Sequence, residues 1–101
     1  MEYNKLVRDK IPEIIKQNEQ IPITHIAGDE EYFKKLKEKL TEEVNEFIAN
    51  ENSEELADII EVIYAIVNNR NVTKEELEKI RKEKAEKRGG FTKKIILDRT
   101  E

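Results

Sequence analysis

Two neighbouring stretches of this chain carry apolar residues at helical spacing, and this pattern constrains the fold more than any other feature. Large apolar side chains recur every three or four residues between positions 33 and 48, and again between positions 56 and 67. Such a period places them on one face of a helix. A short turn at residues 50–53 separates the two stretches. Because helices joined by so short a turn pack against each other, the sequence predicts an antiparallel helical hairpin.

Shorter helices are predicted on either side of the hairpin. A helix over about residues 12–18 would have Pro12 in its first turn, where the missing N–H does no harm. Asp29 is expected to cap the first helix of the hairpin. The capping box at residues 73–76 opens a last helix that ends near Arg88, before two glycines.

Two remaining segments favour β structure. Residues 21–26 and 91–97 are rich in isoleucine and other β-favouring residues, and we expect them to pair as strands. The lone His25 would then be an exposed strand residue rather than a metal ligand, because no second histidine or cysteine accompanies it. The predicted fold is mainly α: one domain over residues 1–101, with a hairpin or bundle of about four helices and a small two-stranded β element.

Composition bounds the partners of the chain. Hydrophobic residues make up 37% of the sequence and charged residues 42%, so the core must be narrow. A homo-oligomer, dimer or tetramer, would enlarge that core. The net charge of -4 predicts no non-specific attraction to nucleic acid. The longest apolar run, residues 62–67, is too short to span a bilayer, and the first residues lack a signal-peptide core. A cytoplasmic protein without membrane contact is expected.

Two acidic pairs stand where the predicted helices of the hairpin meet. Glu43 and Glu46 lie on the first helix, and Glu55 and Asp58 on the second. At about 100° per residue, the two pairs fall at similar offsets from their apolar stripes, in the same rotational sense. Antiparallel neighbours are related by an approximate two-fold axis, so the four carboxylates can meet at one edge. Such an oxygen-rich cage suits Mg²⁺, with Mn²⁺ as a possible substitute.

A solvated acidic surface is the alternative reading of these residues. Charged helix faces usually face water, and Glu55 also fits the third position of a capping box begun by Asn52. Against this, Glu42 and Glu46 are like charges four residues apart, and Glu46 lies near its helix's C-terminus, where the dipole disfavours an anion. From spacing alone, a metal site and a solvated face are equally supported.

Four segments together resemble a known family. The sequence EEVNE at residues 42–46 and ELAD at residues 55–58 match the EExxE and ExxD motifs of the MazG-like branch of the all-α NTP pyrophosphohydrolase superfamily. The segments YNKLVRDKIPE at residues 3–13 and KRGGF at residues 87–91 are similar to those of its small stand-alone house-cleaning members. This resemblance spans nearly the whole chain.

The resemblance implies Mg²⁺-dependent hydrolysis of noncanonical nucleoside triphosphates to a monophosphate and pyrophosphate. It makes Glu43, Glu46, Glu55 and Asp58 metal ligands and Glu42 an outer acid or base. Either Glu42 or Glu46 could take the proton of the attacking water. The eight-residue gap between the acidic motifs is shorter than in many members, which suggests a different or smaller nucleobase pocket.

A triphosphate also needs cations from the protein. The candidates for phosphate binding are Lys5, Arg8, Lys10, Lys87 and Arg88. For Lys87 and Arg88 a structural role is favoured over phosphate binding, because basic residues in a last turn complement the helix dipole.

Two other functions fit the same residues. One is a non-catalytic helical interaction module whose acidic edge binds a basic partner protein. The other is hydrolysis of a phosphoribosyl-nucleotide, as in the phosphoribosyl-ATP pyrophosphohydrolases of the same superfamily.

The absence of cysteine, paired histidines or a nucleophilic serine motif makes direct attack by water the simplest chemistry.

Overall fold

The computed structural model describes residues 3–101, and this part of the chain is mainly helical. Its four helices are α1 (Ile11–Gln17), α2 (Asp29–Asn50), α3 (Ser53–Asn69) and α4 (Lys74–Arg88). The mainly helical architecture is therefore confirmed. None of these helices combines the length and the apolar character needed to cross a bilayer.

The helix starts follow local capping chemistry. The side chain of Asn52 accepts a hydrogen bond from the Glu55 N–H at 3.1 Å, which opens α3. Thr73 does the same for the Glu76 N–H at 3.0 Å, so the predicted capping residue of α4 is confirmed. The cap of α2 is Gly28 rather than Asp29, which occupies the first helical position and places its negative charge at the positive end of the helix dipole.

The centre of the fold is the α2–α3 hairpin. The C-cap of α2 is Glu51, which adopts a left-handed conformation with φ 55° and donates its N–H to the Phe47 carbonyl at 2.7 Å. Helix α3 begins two residues later and packs along α2, and α4 contacts α3. Leu36 of α2 is 1% exposed and Val62 of α3 is 8% exposed, so these two side chains form the best-packed part of the hairpin.

The small β element is the part of the predicted fold that is wrong. Within residues 3–101 no strand forms, and residues 21–26 and 91–97 are irregular segments whose isoleucines are exposed. Two strands paired alone are only marginally stable in water without a surface to pack on. No helix covers either segment, and Phe91 is 97% exposed. His25 is exposed, as expected, with its Nε2 3.0 Å from a Glu31 carboxylate oxygen.

Two edges of the hairpin differ in chemistry. Val44 and Ile48 lie about 80° and 120° around α2 from the buried Leu36. Leu56 and Ile60 lie about 120° and 160° around α3 from Val62, in the same rotational sense.

By the two-fold relation of antiparallel helices, these four exposed side chains share one edge of the hairpin, which we call the apolar edge. Glu43 and Asp58 are rotated by about 20° and 40° in the opposite sense, toward the other edge.

Candidate metal centre

Three carboxylates converge opposite the apolar edge. Glu43 comes from α2, and Glu55 and Asp58 come from the first two turns of α3. One carboxylate oxygen from each lies within 4.8 Å of the others, and we call this group the carboxylate cluster. The short α2–α3 connection explains the meeting, because it keeps the end of α2 and the start of α3 at the same height.

The carboxylate cluster is partly shielded from water. The Glu43 side chain is only 12% exposed, and that of Asp58 is 39% exposed. The Glu55 carboxylate accepts a hydrogen bond from the side-chain amide of Asn50 at 3.3 Å. The backbone N–H of Glu55 donates to the Asn52 cap, and the side chain of Glu55 belongs to the cluster. Helix capping and clustering are therefore compatible at this position.

Cations surround these acids. The Arg8 guanidinium donates to Asp58 at 2.8 Å, and the Lys39 ammonium lies 3.3 Å from Glu43. Lys39 also lies 3.3 Å from Glu42, and Lys5 pairs with the other oxygen of Glu42 at 3.2 Å. Three carboxylates, those of Asp58, Glu43 and Glu42, thus pair with three cations. The site is a mixed charge network in which two cations come from the segment that precedes α1.

The pKa of Glu42 reflects this network. Partial burial by itself would raise the pKa of the carboxyl group, but hydrogen bonds from Lys5 and Lys39 and their positive charges outweigh it, and the pKa is lowered. Glu42 is therefore ionised at neutral pH and can accept a proton. Because its folded-state pKa lies below that of an unfolded glutamate, the pairing stabilises the fold at neutral pH and is lost as the pH falls through the lowered value.

Replacing Lys5 tests this electrostatic picture. In Lys5→Ala, the pKa of Glu42 should rise toward its ordinary value because one hydrogen bond and one nearby charge are removed. The measurement is an NMR titration of the Glu42 side-chain carboxyl carbon. Lys10→Ala is the matched control, since Lys10 lies in the same segment and forms no ion pair among residues 3–101. An unchanged Glu42 titration in Lys5→Ala would contradict the contact.

The structure does not bring Glu46 into the carboxylate cluster. Three residues after Glu43, it lies about 60° further around α2 and away from α3. It lines a shallow groove on the outer face of α2, together with Glu38, Thr41, Glu42, Asn45 and Ala49. The role of Glu46 as a metal ligand stays a prediction. Glu42, one turn earlier on α2, pairs with Lys5.

The candidate phosphate-binding residues divide into two groups. Lys5 and Arg8 lie at the acids of the hairpin, as described above. Lys10 precedes α1 and is exposed, and Lys87 and Arg88 are exposed in the last turn of α4. In the described part of the chain these three form no ion pair. The last two complement the α4 dipole, and Gly89, with φ 82°, ends the helix.

Two residues of the site were not anticipated from the sequence. Lys39 is the least exposed of the three cations, with 18% of its side chain accessible, and it bridges Glu42 and Glu43. Its spacing of three and four residues from two glutamates on one helix is a readable signal. Asn50 holds Glu55 across the turn, and only the geometry of the turn reveals that contact.

The donor set of the carboxylate cluster fits a hard divalent cation. Three carboxylate oxygens without nitrogen or sulfur donors are what Mg²⁺ and Ca²⁺ prefer. Opposite ligands of a Mg²⁺ ion are about 4.2 Å apart, given bonds of about 2.1 Å. The 4.8 Å limit on the oxygen separations is therefore close to the separation that a bound ion needs.

Part of the chain is similar to a known bacterial protein. Over 45 residues, which are 45% of this chain and 46% of the relative, the sequence is 44% identical to a protein of Mycolicibacterium smegmatis (strain ATCC 700084 / mc(2)155) named "Uncharacterized protein". The match thus spans about half the length of that relative. No protein-family model matches the chain, and no solved structure matches it.

Proposed function

We propose that this protein is a Mg²⁺-dependent nucleoside triphosphate pyrophosphohydrolase of the MazG-like type. The observation that supports the proposal most is the convergence of Glu43, Glu55 and Asp58 at one edge of an antiparallel hairpin, with Arg8 beside them. Carboxylates for a metal next to cations for phosphate are what hydrolysis of a polyphosphate requires. The biological role would be the removal of noncanonical nucleotides in the cytoplasm.

Each part of the site has a task in this reaction. Glu43, Glu55 and Asp58 would hold the ion, and Lys5 and Arg8 would contact the phosphates. A bound Mg²⁺ would neutralise phosphate charge and activate water for attack. Water would then cleave the anhydride between the α- and β-phosphates, and the products would be a nucleoside monophosphate and pyrophosphate.

The proton released by the attacking water needs an acceptor. Glu42 is ionised and lies beside the cluster through Lys39, which makes it the better-placed of the two candidate bases. Its lowered pKa also makes it a weak base, so Glu42 acts by position rather than by basicity. Glu46, on the outer face of α2, remains the second candidate.

A pyrophosphate-release assay tests the proposed reaction. The substrates are the ordinary nucleoside triphosphates, oxidised and deaminated ones, and phosphoribosyl-ATP, each with Mg²⁺ and with chelator. We expect equal amounts of monophosphate and pyrophosphate from at least one triphosphate, only with the metal. Cleavage of phosphoribosyl-ATP alone would assign the related activity instead. Release that persists in chelator would contradict the proposal.

The large solvent-accessible surface of the chain supports a homo-oligomer. The accessible surface of the chain is 9615 Å², whereas a compact monomer of 11.9 kDa exposes about 6,000 Å². The radius of gyration is 17.9 Å, compared with about 13 Å for a compact domain of this length. The excess of roughly 3,600 Å² per chain is more than one partner contributes to an ordinary obligate interface, which buries about 2,000–5,000 Å² summed over both partners.

The apolar edge is the proposed contact between copies. A Glu substitution at Ile48, which is 67% exposed, would place a charge in that contact. We therefore expect Ile48→Glu to shift the protein toward monomer in sedimentation velocity. Asn45→Glu puts the same charge one turn away on the polar face of α2 and should leave the mass unchanged. A wild-type monomer at all concentrations, or equal behaviour of the two variants, would contradict the contact.

A further inference from the structure

Three polar contacts tie the segment before α1 to the hairpin. The Lys35 ammonium donates to the Asn4 carbonyl at 2.6 Å, Lys5 pairs with Glu42, and Arg8 pairs with Asp58. Between the two cations, Leu6 and Val7 are half-buried. Lys5 and Arg8 thus lie at the hairpin's acids with their backbone held close to α2.

Arg8 pairs with a carboxylate that the proposed metal centre needs, that of Asp58. Its Nη2 lies 2.8 Å from Oδ1 of Asp58, one of the three carboxylates of the cluster. A divalent cation bound to the same carboxylate would lie within a few ångströms of the Arg8 guanidinium, and like charges at that distance repel. Asp58 therefore cannot pair fully with both cations at once.

The geometry of Arg8 also allows it to leave. Its side chain is 57% exposed, and the Asp58 pair is its only ion pair within residues 3–101, so breaking that pair exposes no buried charge. The Lys35 contact with the Asn4 carbonyl would still keep the segment beside the cluster. A released guanidinium would then be near the bound ion and could pair with two phosphate oxygens.

Resting on the proposed function, we infer that Arg8 is a tethered counter-cation that exchanges between Asp58 and the phosphates of the substrate. Without substrate it competes with the divalent ion for Asp58. A polyphosphate that arrives with the metal accepts the displaced guanidinium, which removes the repulsion. Metal and polyphosphate therefore bind cooperatively, and the site disfavours a divalent ion that comes alone.

The exchange predicts that one substitution changes two affinities in opposite directions, the affinity for Mn²⁺ alone and the affinity for Mn²⁺ with tripolyphosphate. In Arg8→Ala, Mn²⁺ alone should bind about 2- to 5-fold more tightly, because a competing exposed pair is gone. In the presence of inorganic tripolyphosphate, the same variant should bind the Mn²⁺–tripolyphosphate complex more weakly than wild type, because a phosphate contact is lost. Isothermal titration calorimetry measures both affinities, and a general loss of structure would not give opposite changes.

Further variants separate charge from shape. Arg8→Lys keeps a cation and should bind Mn²⁺ alone within about 2-fold of wild type. Arg81→Ala removes an exposed arginine that pairs with Glu78 inside α4, and it should change neither affinity. In the unmodified protein, the Nε–H signal of Arg8 in NMR spectra should shift when Mg²⁺ and tripolyphosphate are added.

The outcomes distinguish failure of the Arg8 exchange from failure of the proposed function. If wild type binds Mn²⁺ and Arg8→Ala binds it equally or more weakly, Arg8 does not compete and the inference is overturned, while the metal centre stands. An Arg8 signal that stays still while metal and tripolyphosphate bind has the same meaning. If neither wild type nor any variant binds Mn²⁺, with or without tripolyphosphate, the proposed function itself fails.

Discussion

Asp58→Asn and Glu43→Gln should each reduce Mg²⁺-dependent pyrophosphate release by about 10²- to 10⁴-fold. Both substitutions preserve the size of the side chain and remove one negative charge from the carboxylate cluster. A catalytic metal contributes several kcal/mol to the transition state, and a tenfold change in rate corresponds to about 1.4 kcal/mol. The measurement is the steady-state release of pyrophosphate from the preferred triphosphate. Stabilisation of the fold by added Mg²⁺ should disappear in the same variants.

Glu61→Gln is the matched control for this loss of charge. Glu61 lies one turn after Asp58 on α3, is exposed, and is not part of the cluster. Its substitution changes the net charge by the same amount and should leave the rate within about 2-fold, since exposed charges act weakly at a distance. Equal losses in all three variants would indicate a general charge effect. Full activity in Asp58→Asn would exclude Asp58 from the reaction.

Leu36→Ala should lower the free energy of unfolding by about 3–5 kcal/mol. Leu36 is 1% exposed, so its truncation removes buried apolar surface and leaves a cavity where α2 meets α3. Urea unfolding followed by circular dichroism gives the difference, at one fixed protein concentration because association would add to the stability. A loss of this size is a large fraction of the stability of a domain of this length.

Lys34→Ala serves as the control on the same helix. It lies two residues from Leu36 at an exposed position, so it reports the effect of alanine on α2 without a cavity. We expect a change within about 0.5 kcal/mol. If Leu36→Ala costs less than about 1 kcal/mol, the hairpin does not pack around this residue as the structure describes.

Local patterns predicted the hairpin because its determinants are local. The apolar period, the short turn, and the caps at Asn52 and Thr73 each act within a few residues of the chain. The meeting of Glu43, Glu55 and Asp58 followed from the same rules, since rotation per residue and the two-fold relation are properties of any antiparallel pair.

What the patterns missed depends on contacts distant in sequence. Residues 21–26 and 91–97 favour strands, but a strand needs a partner and a surface, and composition specifies neither. The pairs of Lys5 with Glu42 and of Arg8 with Asp58 span 37 and 50 residues, and no local rule encodes them. Glu46 is not part of the carboxylate cluster. It lies about 60° further around α2 than Glu43, and this rotation points its side chain away from α3.

Paramagnetic broadening by Mn²⁺ tests most directly whether the carboxylate cluster holds a divalent ion. Mn²⁺ is added below one equivalent to ¹⁵N-labelled protein, and amide signals near the ion lose intensity first. We predict that the signals around Glu43, Glu55 and Asp58 disappear before those around Glu78 and Glu83 on α4, and that chelator restores them. Broadening spread evenly over all acidic residues, or none near the cluster, would contradict the metal centre on which the proposed enzyme depends.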